Sequence, residues 1–450
     1  MKFYFSLFTL FLLTPLVAKE LFGVQNISEY LNPSNPFFYS AIGKESIYKE
    51  RDRYYLGELD SKLFLKYDKK EYPLSSGEFL DTGVHKTLEN GVEVTLAYRK
   101  AEGTQEYNNI KTGDEGEVRA GVTLPVLAVL NGMNSRKLNI DAARLDKIKF
   151  KHTSNDNLRI LYSVIVEEYY KVLYYKAVVE AQEKLFHKVQ RRKQLIDKRV
   201  KSGTLAEVAR LEAQQQSINT EQNLLLAQND FFSALERFVK YLNISRDVFE
   251  TKYSLGVLEE TAHSKISLDN YVELAIENRP DLKAYELEIK KIHLQQKQTQ
   301  LLGYPKMDLS FYGVHDFKYD DGFKVALDME FPIERRKYEG KNIENKNSIK
   351  NLQMNKSKEI LSIRTKLVTI VNSLDMFEKN LESSKVELQL LEKLEEAENK
   401  KYLLGMSNLY MVNQRERATL NVEQKVLKYH FECLLLEQEA KREAGVSFFE

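Results

Sequence analysis

Helix breakers are missing from long parts of this chain. Between Gly132 and Gly203 lie 70 residues without glycine or proline, and 52 more follow before Gly256. Later, 64 residues separate Gly340 from Gly405, and another 39 separate Gly405 from Gly445. Glycine and proline mark helix ends, so the pattern predicts two long helical hairpins, each with a single glycine at its bend. At 1.5 Å per residue the longest arm reaches about 105 Å, far beyond an ordinary globular helix. From Leu158 a 3-4 spacing runs through Leu161, Ile165, Glu168, Val172, Tyr175, Val179, Gln182, Phe186, Val189, Lys193, Ile196 and Val200. Most of these are apolar, as a coiled-coil seam requires. The returning arm has two adjacent stripes, Leu224, Phe231, Phe238 and Leu211, Ile218, Leu225, Phe232, Val239. Such a helix packs against a neighbour on each side, which suits a wall of helices. Asn155-Asp156-Asn157 is expected to interrupt or kink the first arm.

Four short stretches have the other period, with strands expected over about 91–100, 117–125, 306–315 and 323–331. Val92, Val94, Leu96 and Tyr98 alternate with polar or small residues, as do Val118, Ala120, Val122 and Leu124. Met307, Leu309 and Phe311 do the same, and so do Phe323, Val325, Leu327, Met329 and Phe331. Alternation of this kind is the strand signal. In a soluble sheet the apolar face meets a core; in a membrane barrel it meets lipid and the polar face lines a lumen. Four strands cannot close a barrel, since about eight are the usual minimum. Strands from several subunits are therefore expected to combine, with Val92, Val94, Leu96, Phe323, Val325, Leu327 and Met329 toward lipid.

Composition removes other classes. The 450 residues carry 67 Lys and Arg against 66 Asp and Glu, so no basic excess points to nucleic acid. A mean hydropathy of −0.46 excludes a bundle of transmembrane helices. One cysteine, Cys433, excludes a disulfide framework and reads as a small buried helix residue. The seven histidines have no ligand spacing, and no phosphate loop or nucleophile elbow is present. No enzyme activity, cofactor or metal is expected. The basic run Lys184, Lys188, Arg191, Arg192, Lys193, Lys198, Arg199 reads as a solvated face or, near a hairpin tip, as a surface for an acidic partner. Lys2, the apolar run Phe3–Leu13 and Ala18 before Lys19 read as a secretory signal over 1–18.

The remainder, 19–450, is written twice, as repeats of about 19–255 and 256–450. Pro125 and Pro332 each end a strand, and the bend glycines Gly203 and Gly405 follow at similar distances. Asn35-Pro36 in the first half is echoed by Asn278 and Pro280 in the second. The most specific segments are Arg199-Val200-Lys201-Ser202-Gly203-Thr204 and Tyr402-Leu403-Leu404-Gly405-Met406-Ser407, supported by Asn278-Arg279-Pro280-Asp281-Leu282 and Phe331-Pro332-Ile333. In this order, over the whole mature chain, they resemble the outer membrane efflux protein (TolC) family.

The resemblance implies a mainly α fold with a β-barrel part. Three copies would close a twelve-stranded outer-membrane barrel from four strands each, and the helices would continue it as an α-barrel through the periplasm. It implies a passive exit duct of a tripartite efflux or type I secretion system. Its partners would be a periplasmic adaptor (membrane fusion protein), an inner-membrane transporter and outer-membrane lipid. Arg199, Gly203, Thr204, Gly405, Met406 and Ser407 would form adaptor-docking bends. Tyr402, Asn408, Asn413 and Gln414 would form a neutral periplasmic gate held by hydrogen bonds, with Met411 and Gln414 standing where the family often has acids. Glu207 could supply an acidic ring of its own. The segment around 66–90 has no counterpart in the second repeat. The other reading of the residues is an exported coiled-coil structural or adhesive protein without a pore.

Overall fold

The computed structural model describes residues 19–73, 75–105, 108–109, 112–132, 134–258 and 267–446. The expected signal, 1–18, lies outside the described residues. In chain order, β1 (Glu20–Phe22), α1 (Ile27–Tyr30), α2 (Pro36–Tyr48) and α3 (Arg51–Leu56) come first. They lead into β2 (Lys62–Tyr72), β3 (Ser75–Thr87), β4 (Glu93–Gln105), the short β5 (Asn108–Asn109) and β6 (Glu117–Pro125). A short α4 (Val126–Leu130) precedes α5 (Ser135–Lys201), which returns as α6 (Glu207–Leu242). Then follow α7 (Arg246–Lys252), β7 (Tyr253–Leu255), α8 (Leu268–Asn278) and α9 (Pro280–Leu301). The chain ends with β8 (Lys306–Asp316), β9 (Asp320–Glu330), α10 (Arg336–Leu403) and α11 (Leu409–Glu443).

The two predicted hairpins are present: α5 and α6 have 67 and 36 residues, and α10 and α11 have 68 and 35. The expected break at Asn155–Asn157 is absent, and α5 runs through it. The Asn157 side chain donates to the Ala41 carbonyl at 3.1 Å instead of competing for its own helix backbone. Pro36 and Pro280 each open a helix, as the internal echo suggests, with their missing N–H at a position that needs no intrahelical partner.

The fold divides into two compact units, each drawing on both repeats. The helical unit holds the N-terminal stretch up to Ser40, Arg159–Val272 and Lys366–Glu450. Its core gathers Phe22, Ile165, Tyr169, Val172, Phe238, Phe249 and Tyr253. Phe22 meets the Tyr253 ring nearly edge-on at 4.9 Å, and the Tyr169 hydroxyl donates to the Phe22 carbonyl at 2.7 Å. β1 and β7 pair in parallel beside this cluster. On the predicted seam of α5, Ile165, Val172, Val189 and Ile196 are buried. One stripe of α6 is buried through Leu224 and Phe238; of the other, Val239 is buried, while Leu211, Ile218, Leu225 and Phe232 stay exposed. Four heptad-spaced apolar residues are thus exposed among the described residues, with the Arg246 guanidinium over the Phe232 ring.

The other unit holds Ala41–Leu158 and Glu273–Thr365. Its sheet is antiparallel, in the order β2-β3-β4-β6-β8-β9, with β5 added against β4. The expectation of four strands per chain is therefore an undercount. All four predicted strands are found, and the unmatched segment around 66–90 contributes two more, β2 and β3. Val92 is also displaced: it lies in the turn before β4, where its carbonyl accepts from Leu88 N–H at 2.8 Å.

Candidate functional site: the sheet wall and the hairpin bends

Register places the two faces of the sheet. Leu63 sits opposite Val84, Val84 opposite Leu96, and Leu96 opposite Ala120. The line continues to Gly313 and Phe323. One step along, Val94, Val122, Phe311 and Val325 stand in a row, and Leu124, Leu309 and Leu327 in the next. This face is apolar and exposed: Leu96 is 59%, Phe323 85% and Leu327 56% exposed. Of the residues expected toward lipid, Val94, Leu96, Phe323, Val325, Leu327 and Met329 share it, and Val92 alone is off the strand. No helix among the described residues is long and apolar enough to cross a membrane.

The opposite face is polar. Asp81 on β3 bonds Arg99 on β4 at 2.8 Å and also pairs with Arg119 on β6, so one carboxylate ties three strands. Thr123 and Ser310 hydroxyls lie 3.0 Å apart across β6 and β8. At the end of the sheet away from the helices, the Asp316 carboxylate accepts from the N–H groups of Gly113, Lys318 and Tyr319. Two connecting segments are thereby joined.

The bends are built alike. Gly203 has φ +74° and Gly405 φ +75°, both left-handed, and a Cβ on either would meet nothing within 4 Å. The N–H of Thr204 reaches the Arg199 carbonyl at 2.9 Å, and that of Gly203 the Val200 carbonyl at 2.9 Å. Met406 and Gly405 repeat this on Lys401 and Tyr402. Both helices thus end in a Schellman cap, which requires a positive φ that glycine supplies without strain. Thr204, Gly405 and Met406 are exposed. Ser407 instead turns its hydroxyl onto Glu398. Asn408 caps α11 by accepting from Met411 N–H at 2.9 Å, whereas Ala206 offers α6 no side-chain cap.

The four gate candidates do not form one cluster. Tyr402 packs on the small core of Ile196, Ala213 and Leu409, Asn408 is used as a cap, and Gln414 is exposed. Asn413 accepts from Arg192 at 2.9 Å, and Arg192 also pairs with the buried Glu416. Lys188 meets the buried Glu395 at 2.9 Å. The basic run is therefore not wholly solvated, because α10 and α11 supply carboxylates for it. Burial pushes the Glu416 carboxyl above its ordinary range; Arg192 pulls it down, Glu395 pushes it up again and Lys188 opposes that. Sequence reading missed Glu416 and Glu395, since their partners lie more than 200 residues away. A groove of about 760 Å³ opens here, lined by Lys188, Arg192, Ile196, Glu395, Tyr402 and Glu416 among others. Glu207 is exposed and paired with Arg210.

Among the described residues no group of three or more metal-ligating side chains is present. Cys433 is buried, and burial pushes its thiol up to about 11, far from a nucleophilic thiolate at neutral pH.

No protein-family model matches the chain, nor does any curated protein sequence. Solved structures do match. The outer membrane protein VceC from Vibrio cholerae superposes with a TM-score of 0.69 at 13% identity, covering 94% of this chain and 96% of its own. The outer membrane channel CmeC from Campylobacter jejuni gives 0.67 at 10% identity, covering 94% and 86%. The MtrE outer membrane channel from Neisseria gonorrhoeae, in its open state, gives 0.62 at 11%, covering 94% and 88%. The chain has the fold of these outer-membrane channels, which is the fold that the TolC-family resemblance implies.

Proposed function

We propose that the protein is an outer-membrane exit duct, a homotrimer whose sheet lies in the outer membrane and whose helices stand in the periplasm. The observation that carries this is the two-faced sheet. Its outer face carries an apolar band across six strands, bounded by Lys69, Glu78 and Lys100, its inner face is charged, and its path ends in open edges at β2 and β9. An open edge is not tolerated in a bilayer, where only helices and closed barrels satisfy the backbone. Other copies of the chain supply the closure. The exposed row Leu211, Ile218, Leu225, Phe232 on α6 supports the same conclusion, since a helix of a neighbouring copy would cover it. Light scattering on detergent-solubilised protein is expected to give three chains per particle, and a monomer would sink the reading.

A conduit needs no catalytic group; it needs a closed wall, a polar lining and ends that open and dock. The duct is passive, and a periplasmic adaptor and an inner-membrane transporter complete it. The bends at Gly203 and Gly405, with Arg199, Thr204, Met406 and Ser407 beside them, are the docking ends. Both glycines have open space over the α-carbon, so a partner backbone can approach closely. Gly203→Trp or Gly405→Trp is expected to abolish export while leaving the trimer in the outer membrane; export persisting in both variants would move the docking site elsewhere. Tyr402, Asn408, Asn413 and Gln414 form the periplasmic constriction, with the Arg192–Glu416 pair behind Asn413. Because Arg210 offsets Glu207, block by a trivalent cation on the periplasmic side is expected to be weak; micromolar block, about −8 kcal/mol, would contradict this.

A further inference from the structure

We propose that the β2–β3 hairpin is part of the transmembrane wall, so that β2 of one copy pairs with β9 of the next. The barrel then holds six strands from each of three copies, eighteen in all. This rests on the trimeric duct reading above.

The hairpin is paired as fully as the rest of the sheet. β2 and β3 share eleven residue pairs from Lys62↔His85 to Tyr72↔Ser75, and β3 and β4 share eleven from Gly77↔Gly103 to Thr87↔Glu93. β8 and β9, which the sequence marks as wall strands, also share eleven. Eleven residues suffice for a tilted strand to cross a bilayer, which takes about 9–11.

Up to Tyr67 its faces continue those of the wall; Lys69 and Glu71, on the same side, end the apolar band as Lys100 and Glu102 end it on β4. Leu63, Leu65 and Tyr67 are 79%, 69% and 60% exposed, on the side that carries Val84, Leu96 and Phe323. A row of exposed leucines is unfavourable in water and favourable against lipid. On the lumen side Asp81 anchors the hairpin through Arg99 and Arg119. Were the hairpin peeled away so that β4 became the edge, as a twelve-stranded barrel requires, both guanidiniums would lose that carboxylate.

The ends of the path also fit each other. β2 and β9 each have eleven residues and one neighbouring strand. Six antiparallel strands make an even number, so β2 and β9 run in opposite directions. The antiparallel order therefore continues from copy to copy without a parallel seam. Barrel diameter grows roughly linearly with strand number, so the lumen is about one and a half times as wide as that of a twelve-stranded barrel.

Cysteine pairs in the full chain, carrying Cys433→Ala, test this in outer membranes under copper-phenanthroline oxidation. Leu65→Cys is combined with Val325→Cys or Leu327→Cys, and Leu96→Cys with the same two. Cross-linked dimers and trimers are expected from the Leu65 pairs and not from the Leu96 pairs. Cross-links from Leu96 place β4 at the interface and overturn the eighteen-stranded wall, and a trimer that cross-links through neither pair overturns it too. In both cases the duct reading stands, because the position of a cross-link bears on the wall alone; a monomer by light scattering removes the duct reading itself. If a double variant fails to assemble, Leu63→Cys alone decides: protection from a membrane-impermeant maleimide, with labelling by an apolar one, supports the wall. Labelling by the impermeant reagent overturns it.

Discussion

In the first repeat the long helices have 67 and 36 residues, and in the second 68 and 35. Between the leading helices and those long arms, however, the first repeat places β2, β3, β4, the two-residue β5 and β6, while the second places only β8 and β9. The contrast has a mechanical reason. Helices side by side in a wall must end together, because a turn too many leaves apolar seam residues uncovered. A strand hairpin leaves the end of a sheet and returns to it, so two strands can be inserted without moving any helix. Length is constrained in the helices and free, in steps of two strands, in the sheet.

The repeats are tied to each other in the helical unit by Arg192 of the first and Glu416 of the second. Arg192→Ala strands a buried carboxylate and is expected to lower stability by about 3–5 kcal/mol, read as earlier loss of helical circular dichroism in detergent. Glu416→Gln sharpens the point through pH. A carboxyl held above its unfolded value stabilises the fold fully below that unfolded value, and this stabilisation is lost as pH rises through the raised value. The variant should therefore compare more favourably with the unsubstituted protein at pH 7 than at pH 4; the opposite trend would mean that Arg192 outweighs burial.

The next largest effect compares the strands. Leu96 and Leu327 are 59% and 56% exposed on the same face, one from each repeat. An arginine at either is expected to cost about 2–4 kcal/mol at the mid-depth of a bilayer and, on the proposed duct reading, to impair membrane insertion equally. Asp328→Arg, on the polar face opposite Asp308, should be tolerated. Unequal effects at Leu96 and Leu327 would place the two repeats at different depths. Equal damage from Leu327→Arg and Asp328→Arg would mean that the faces are reversed or that the strands are not in a membrane.

The smallest effect concerns the bends. α11 is capped by Asn408 and α6 by nothing from Ala206. Asn408→Ala is expected to cost about 1 kcal/mol, and Ala206→Asn to gain part of that, in thermal melts. If neither changes the melt, the caps play no part in the difference between the bends.

The helices were legible because their boundaries are chemical: Gly203 and Gly405 sit where the chain must adopt positive φ. Four strands were legible because period two survives along Val94–Tyr98, Val118–Leu124, Met307–Phe311 and Phe323–Phe331. β2 and β3 were not. The apolar row of β2 stops at Tyr67 before Asp68-Lys69-Lys70-Glu71, and on β3 Thr82 interrupts the row between Leu80 and Val84. Within one copy the gate candidates beside Gly405 have different neighbours, with Tyr402 on the Ile196–Leu409 core, Asn408 capping α11 and Asn413 beside Arg192, because helix geometry sends neighbouring side chains to different faces. Glu416 carries no local signal at all, since Arg192 comes from the other repeat.

Single-channel recording in planar bilayers, on the purified full-length trimer, tests the central claim most directly. A closed barrel with a charged lining predicts stable unitary conductance from the unsubstituted protein and none from a Leu327→Arg preparation that fails to insert. Silent bilayers from a folded trimer that has inserted would contradict the duct and leave a coiled-coil protein without a pore.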